Sequence, residues 1–325
     1  MMDTKNQAGG LLLSAVVPFL NEQECIPSLI EELDNTLEKL GIRFEIVLID
    51  DGSKDNSVDV AKAEIRKRPQ ITATIISLSR NFGKEAALTA GLEAAKGDVV
   101  VPLDADLQDP PALIGEMLVH WREGYDVVYA VRRQRSGESR TKRFTAYSFY
   151  RLMERLSNTG IPADTGDFRL MDRCVVNALL KLPERSRFMK GLFAWVGFRQ
   201  IAIYYDRDAR KIGRSNWNYW KLWNFAIDGV TSFSRIPLQV WSYAGLLIAL
   251  LALGYGSWMV VRTLIFGTDL PGYASLMTAV LFLGGIQLVG LGVLGEYIGR
   301  IYHEAKARPL YIQMEEWSQL GTNGL

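Results

Sequence analysis

Residues 236–261 and 273–298 run almost without charge for longer than the ~20 residues a membrane-crossing helix needs. No other feature narrows the possible folds of this chain so far. Runs of this length without a charged face would not pack against water as helices of a soluble domain. Arg262 and Asp269 fall between them, in a short loop containing Asp269-Leu270-Pro271-Gly272. Arg235 precedes the first run, and Arg300, Lys306 and Arg308 follow the second. The positive-inside bias therefore predicts a helical hairpin with both termini in the cytoplasm. Gly284, Gly285, Gly290, Gly292 and Gly295 in the second run suit close helix approach, and hence a homo-oligomer. Upstream, Trp217, Tyr219, Trp220, Trp223 and Phe225 alternate with Lys221, the pattern of a helix lying in the headgroup layer.

The first hundred residues follow a different rule. Short apolar runs at 12–17, 44–49, 71–78 and 99–103 alternate with amphipathic stretches at 26–40, from about 55, and at 84–96. This predicts an α/β domain with a mostly parallel sheet covered on both faces. In such sheets ligands bind where the carboxyl ends of the strands open. Three of the four strands end in carboxylate-bearing turns: Asn21-Glu22, Asp50-Asp51 and Asp104-Ala105-Asp106. That edge is the predicted active site.

Asp104 and Asp106, two apart at a strand end, can present both carboxylates to one side. Such a pair attracts a hard divalent cation, Mg²⁺ or Mn²⁺, which commonly accompanies a diphosphate. Arg80 and Lys84 bracket the start of the third helix, where a phosphate group would be met. Arg207 and Arg210, followed by Gly213 and Ser215, form a second basic cluster just before the aromatic segment. A third, from Arg132 to Arg155, holds eight Lys or Arg against two Glu. Net charge is only +1, so global balance does not point to nucleic acid. Cys25 and Cys174 lack metal-ligand spacing and read as buried small hydrophobes, and His120 and His303 have no assigned role. The N-terminus carries no signal-peptide pattern, which places the catalytic part in the cytosol.

Several segments together resemble the family 2 inverting glycosyltransferases. They are Val17-Pro18-Phe19-Leu20-Asn21-Glu22, Ile49-Asp50-Asp51-Gly52-Ser53, Arg80 to Glu85, Asp104 to Pro110, Gly166-Asp167-Phe168-Arg169-Leu170 and Phe188-Met189-Lys190-Gly191. Trp195-Val196-Gly197, Lys221-Leu222-Trp223-Asn224 and Leu294 to Arg300 extend the likeness over nearly the whole chain. Within the family it is most similar to bactoprenol glucosyltransferases, and it is also similar to polyprenyl- and dolichyl-phosphate sugar synthases.

The resemblance implies a GT-A-like nucleotide-sugar-binding domain that transfers glucose from UDP-glucose, with inversion, onto undecaprenyl phosphate at the inner membrane face. The product would supply a lipid-linked sugar for cell-envelope glycan modification. Pro18, Asn21, Glu22, Asp50, Asp51, Lys84, Asp104 and Asp106 would then bind the donor, and Asp104, Asp106 and Gln108 the metal. Asp167 would act as catalytic base or orient the acceptor, with Asp106 as its catalytic partner. Arg80, Arg169, Lys190, Arg207, Arg210 and Ser215 would contact the acceptor or phosphates. The family's Ser/Thr-Lys-Tyr-type segment is here Ser215-Asn216-Trp217, without the lysine.

The same machinery could use mannose, N-acetylhexosamine or aminoarabinose donors, and a non-catalytic nucleotide-binding membrane partner is a more distant reading. A processive synthase would carry a Gln-x-x-Arg-Trp motif and more membrane spans, and this chain shows neither. The expected organisation is a disordered 1–10, a cytosolic catalytic domain over 11–212, an interfacial region over 213–235, two membrane helices within 236–299 and a cytosolic tail over 300–325.

Overall fold

A computed structural model of the chain describes residues 10–132, 165–205, 236–267 and 272–322. The aromatic segment before the first apolar run, most of the 132–155 basic run, and Arg207, Arg210 and Ser215 lie outside the described residues.

Eight strands form one sheet in the order β7-β5-β6-β4-β1-β2-β3-β8. Its centre is built from β1 (Leu12–Phe19), β2 (Arg43–Asp50), β3 (Thr72–Leu78) and β4 (Val99–Pro102). β1 pairs in parallel with both β2 and β4, and β2 with β3. The crossovers are α1 (Ile26–Lys39), α2 (Ser57–Arg66) and α3 (Lys84–Ala94). Both faces of these strands are covered, which is why they read as continuous apolar runs. Leu13, Ala15 and Val17 of β1 pack with Ile46 and Leu48 against Leu29, Ile30, Leu33 and Leu37 of α1. Val16, Val47 and Ile49 point the other way, against Ala87, Leu88 and Ala90 of α3. Gly91 lets α3 lie on β1, because a Cβ there would collide with the Val16 side chain.

Beyond β4 the sheet stops being parallel. A 3₁₀ turn (Pro111–Leu113) and α4 (Ile114–Arg122) lead to β5 (Val127–Arg132). β6 (Thr165–Asp172) then inserts between β4 and β5, antiparallel to both. Reversal puts the beginning of β6 at the edge where the parallel strands end. α5 (Arg173–Leu180) and α6 (Met189–Trp195) follow, and β7 (Gln200–Tyr205) closes that side in parallel with β5. Asp172 caps α5 by accepting from the Cys174 N–H at 2.9 Å. Cys25 is buried as expected, but Cys174 is exposed in the first turn of this capped helix.

The two apolar runs form long helices, α7 (Ile236–Phe266) and α8 (Tyr273–Ala305). A Cβ at Gly290 of α8 would meet the Trp241 ring of α7 at 3.7 Å, so the two helices approach each other there. Many large apolar side chains on both stay exposed, Leu250, Leu253, Trp258, Leu288 and Val289 among them. Among the described residues, one helical segment is long and apolar enough to cross a membrane, Phe282–Ala305, with a mean hydropathy of 1.4. The apolar stretch in α7, Tyr243–Trp258, is shorter. The expectation of two complete spans is thus met by one such segment among the described residues.

Past α8 the chain does not trail off. β8 (Gln313–Gln319) runs antiparallel along β3 and covers the sheet's far edge. The Gln319 side-chain amide donates to the carbonyls of Arg68 and Ile71, at 3.0 and 3.2 Å, and Lys62 pairs with Glu315 at 2.7 Å.

Candidate active site

The carboxylate turns expected from the sequence converge on one edge. After β1, Asn21 adopts a positive φ of 54°, and its side-chain carbonyl accepts from the Lys54 N–H at 2.8 Å. Ser57 Oγ accepts from the Glu22 N–H at 2.8 Å, tying the first turn to the second. At the end of β2, Asp50 accepts from the Ser53 N–H at 2.8 Å. Asp51 accepts from the Phe82 N–H at 2.7 Å and the Gly83 N–H at 3.0 Å. Burial raises the Asp51 pKa, opposed by those two N–H bonds. Asp50 and Asp51 are therefore buried braces that set the turn and the start of α3. Pro18 is buried in β1, whereas Asn21 is exposed and Glu22 half-buried. Arg80 is exposed at the third strand end, its guanidinium 4.1 Å over the Phe82 ring. Gly52 is needed here: its φ is 76°, and a Cβ would sit 2.6 Å from the Arg80 carbonyl carbon.

The chemical centre lies between β4 and β6. Val100 faces Met171 in their antiparallel register. Extending that register four residues along each strand brings Asp104 level with Asp167. Lys84, the first residue of α3, bridges them, with Nζ 2.6 Å from Asp104 and 2.5 Å from Asp167. Burial opposes its charge, but Asp167 and Asp104 together hold its pKa above the usual lysine range. Burial likewise pushes Asp104 up, with Lys84 opposing. For Asp167 the balance is reversed: Lys84, Lys190 and Arg169 outweigh burial and keep its pKa below the ordinary range. Two facing carboxylates thus have their pKa values pushed apart, a feature of sites in which the two play different roles. Oδ1 of Asp167 is buried and has no hydrogen-bond partner, so one strong acceptor remains available.

Asp106 and Gln108 follow on the same turn, where Asp106 Oδ1 accepts from the Gln108 N–H at 3.2 Å and Leu107 takes a positive φ of 54°. Asp104, Asp106 and Gln108 offer only oxygen donors, two of them carboxylates. That set fits a hard divalent cation and disfavours softer metals. Among the described residues one group of three His, Cys, Asp or Glu residues has its ligand atoms within 4.8 Å of one another, Asp126, Asp172 and Cys174. Its carboxylates already accept from Arg199, Trp121 and Cys174, so it is read as structural.

Lys190 lies at the start of α6, close enough for its charge to act on Asp167. Arg169 is placed differently from the phosphate contact expected of it. It is buried, donates to the Gly166 carbonyl at 2.9 Å, and stacks 3.7 Å over the Phe193 ring. Burial lowers its pKa to about 10. It supports the β6 start that carries Asp167.

Four further side chains shape the site without having been assigned from the sequence. Glu85, beside Lys84, is pushed up to about 8 by burial and by the charge of Asp167. Asp109 is buried next to the turn that carries Asp106 and Gln108, where it accepts a bond from the Tyr205 hydroxyl and lies 3.5 Å from Arg132. Arg132 Nε in turn donates to the Tyr205 hydroxyl at 3.1 Å. A third carboxylate in Asp104-x-Asp106-x-x-Asp109 was visible as a signal. Its partners come from β5 and β7, distant in sequence.

Comparison with known proteins agrees with this arrangement. The model for glycosyl transferase family 2 matches residues 14–180, and that for the GtrB C-terminal hairpin matches residues 236–301. The chain is 55% identical over 305 residues to an uncharacterized glycosyltransferase of Synechocystis, covering 94% of this chain and 95% of that one. It is 48% identical over 304 residues to the bactoprenol glucosyl transferase of Shigella phage SfV, covering 94% and 98%. The crystal structure of glucosyl-3-phosphoglycerate synthase from Mycobacterium tuberculosis, in complex with Mn²⁺, UDP and glucosyl-3-phosphoglycerate, superposes with a TM-score of 0.51 at 20% identity. It covers 71% of this chain and 82% of that one, a likeness of fold. With a GT-A-like sheet, converging carboxylates and a matching C-terminal hairpin, this chain belongs to the family 2 glycosyltransferases and is an enzyme of their GtrB-like branch.

Proposed function

We propose that the protein transfers glucose from UDP-glucose, with inversion, onto undecaprenyl phosphate or a similar polyprenyl phosphate at the cytoplasmic face of the membrane. The observation that carries this reading is the placement of Asp167 opposite Asp104, with Lys84 between them and the Asp106 turn alongside. The names of the phage and enterobacterial relatives supply the acceptor class and the sugar.

An acceptor phosphate is largely ionised near pH 7, its second pKa being about 6, so little proton transfer is required. One of its oxygens attacks the anomeric carbon, and the bond from that carbon to the donor's β-phosphate oxygen breaks. The nucleoside diphosphate departs with the electron pair, and the configuration inverts. Lys84 and Lys190 offer positive charge at the place where diphosphate charge develops. Asp167, kept ionised, orients Lys84 and the incoming acceptor, while Asn21, Glu22 and Arg80 at the neighbouring strand ends face the nucleotide. Asp104, Asp106 and Gln108 would hold Mg²⁺ or Mn²⁺, which when bound neutralises charge on the leaving diphosphate.

Membrane placement as a two-crossing hairpin has three supports. α7 and α8 contain 31 and 33 residues. At ~1.5 Å per residue each exceeds the ~30 Å hydrocarbon layer. The hairpin model covers both helices. The third support is topological. β8 follows α8 yet pairs with β3, which precedes α7, a pairing that suits a hairpin returning to the side it left.

Reconstituted protein with undecaprenyl phosphate and Mg²⁺, offered radiolabelled UDP-glucose, UDP-N-acetylglucosamine or GDP-mannose separately, tests the proposal. Label should enter the lipid fraction from UDP-glucose and disappear in Asp106→Ala. Label from another donor would keep the reaction and change the sugar. Lipid free of label with every donor would reject the acceptor assignment.

A further inference from the structure

Where α8 ends against the catalytic domain, a cavity of about 160 Å³ opens between the helix terminus and the loop before α6. Its lining includes Arg185, Ser186, His303, Lys306 and Arg308. The walls are tied together. The Glu304 carboxylate accepts from the Arg185 N–H at 2.9 Å and from the Ser186 N–H at 2.9 Å. Arg185 Nε donates to the Arg308 carbonyl at 2.7 Å. These bonds occupy the carboxylate within the wall, and three permanent cations remain around the opening against that single anion. Among the described residues no carboxylate forms an ion pair with Arg185, Lys306 or Arg308. The segment long and apolar enough to cross a membrane ends at Ala305, so on the membrane placement proposed above the cavity lies at headgroup depth.

We propose that this cavity binds the headgroup phosphate of an anionic membrane phospholipid. Two arginines and a lysine line this one opening, and guanidinium and ammonium groups match the oxygens of a phosphodiester. Anionic lipid attracts basic groups that lie at the membrane surface within a Debye length. The position selects a lipid over a soluble anion, since an acyl chain could lie along the exposed apolar side chains Ile298 and Ile301 of α8. The inference rests on the membrane placement proposed above, and assigns the site a function separate from sugar transfer. The loop it engages leads directly into α6, which carries Lys190.

Full-length protein in phosphatidylcholine vesicles, with a trace of nitroxide-labelled phosphatidylglycerol, provides the test by electron paramagnetic resonance. The motionally restricted fraction should exceed that of labelled phosphatidylcholine severalfold. The excess should fall at least threefold in Lys306→Gln/Arg308→Gln and persist in Lys306→Arg/Arg308→Lys. Equal restriction of both lipids, persistence of the excess in the glutamine pair, or its loss in the charge-conserving pair would overturn the proposal. Unlabelled phosphatidylglycerol should displace the label, and millimolar inorganic phosphate should not. Displacement by polyprenyl phosphate but not by phosphatidylglycerol would hand the cavity to the acceptor and overturn it. The readout needs no donor and no turnover, so failure of sugar transfer leaves it intact. Absence of any restricted lipid, of either headgroup, would instead remove the membrane placement and this inference together.

Discussion

At the scale of single residues, the site is organised by competition for one ammonium group. Lys84 holds Asp104 and Asp167 together, and Asp167 stays ionised because cations surround it. Asp167→Asn should lower kcat about 10²-fold, the scale for a misplaced reacting group, with a smaller change in donor KM. Near-wild-type turnover would show that its charge is dispensable. Glu85 gives a prediction about stability. Its pKa rises from an ordinary 4.5 to about 8 on folding, so the chain takes up a proton there as it folds. Its contribution is most favourable below pH 4.5 and is lost progressively as the pH rises through 8. Glu85→Gln should therefore melt higher than wild type by about 3–6 °C at pH 8.5, and by little at pH 5. An unchanged difference between the two pH values in a thermal scan would contradict the buried, protonated state. Asp104, Asp106 and Asp167 were legible in the sequence because strand ends and motif spacing locate them. The burial that distinguishes Glu85 from an ordinary first-turn glutamate exists only after α6 folds over it.

At the scale of elements, the four parallel strands were legible because burial on both faces leaves them apolar throughout, and glycine or proline punctuates their ends. β6 was not, since pairing direction is written in no local pattern. Its reversal nevertheless carries Asp167 to the strand ends. The turn proposed to hold the metal depends on similar long-range pairing, for Asp109 is held by Tyr205 of β7 and Arg132 of β5. Tyr205→Phe leaves the ring and removes that hydroxyl. It should raise the divalent cation needed for half-maximal transfer about tenfold, the usual scale for loss of a supporting partner, with the fold intact by circular dichroism. Gly52→Ala should be more damaging. It combines a positive φ with a backbone collision at 2.6 Å, and should cost about 1–3 kcal/mol of stability, visible as reduced folded yield.

At the scale of the whole molecule, β8 joins the distant end of the chain to the catalytic sheet. Its sequence, Gln-Met-Glu-Glu-Trp-Ser-Gln, shows little apolar alternation because an edge strand exposes most of its side chains, so nothing local marked it. Thr74 and Ser318 face each other in its register. Thr74→Cys/Ser318→Cys should cross-link on mild oxidation of isolated membranes, seen as a mobility change reversed by reductant. Failure to cross-link would place the two segments apart and undo the argument for two crossings. The pairing also sets a measure of distance. Between the end of α8 at Ala305 and the start of β8 at Gln313 only seven residues intervene. Fully extended they reach at most ~25 Å. The sheet is thus moored to the hairpin by a short leash, in addition to the chain that enters α7. A body held at two points cannot swivel like one on a single tether. With the hairpin seated in a bilayer as proposed, the active edge keeps a nearly constant height and heading above it, and it is for the proposed lipid acceptor to rise to meet it.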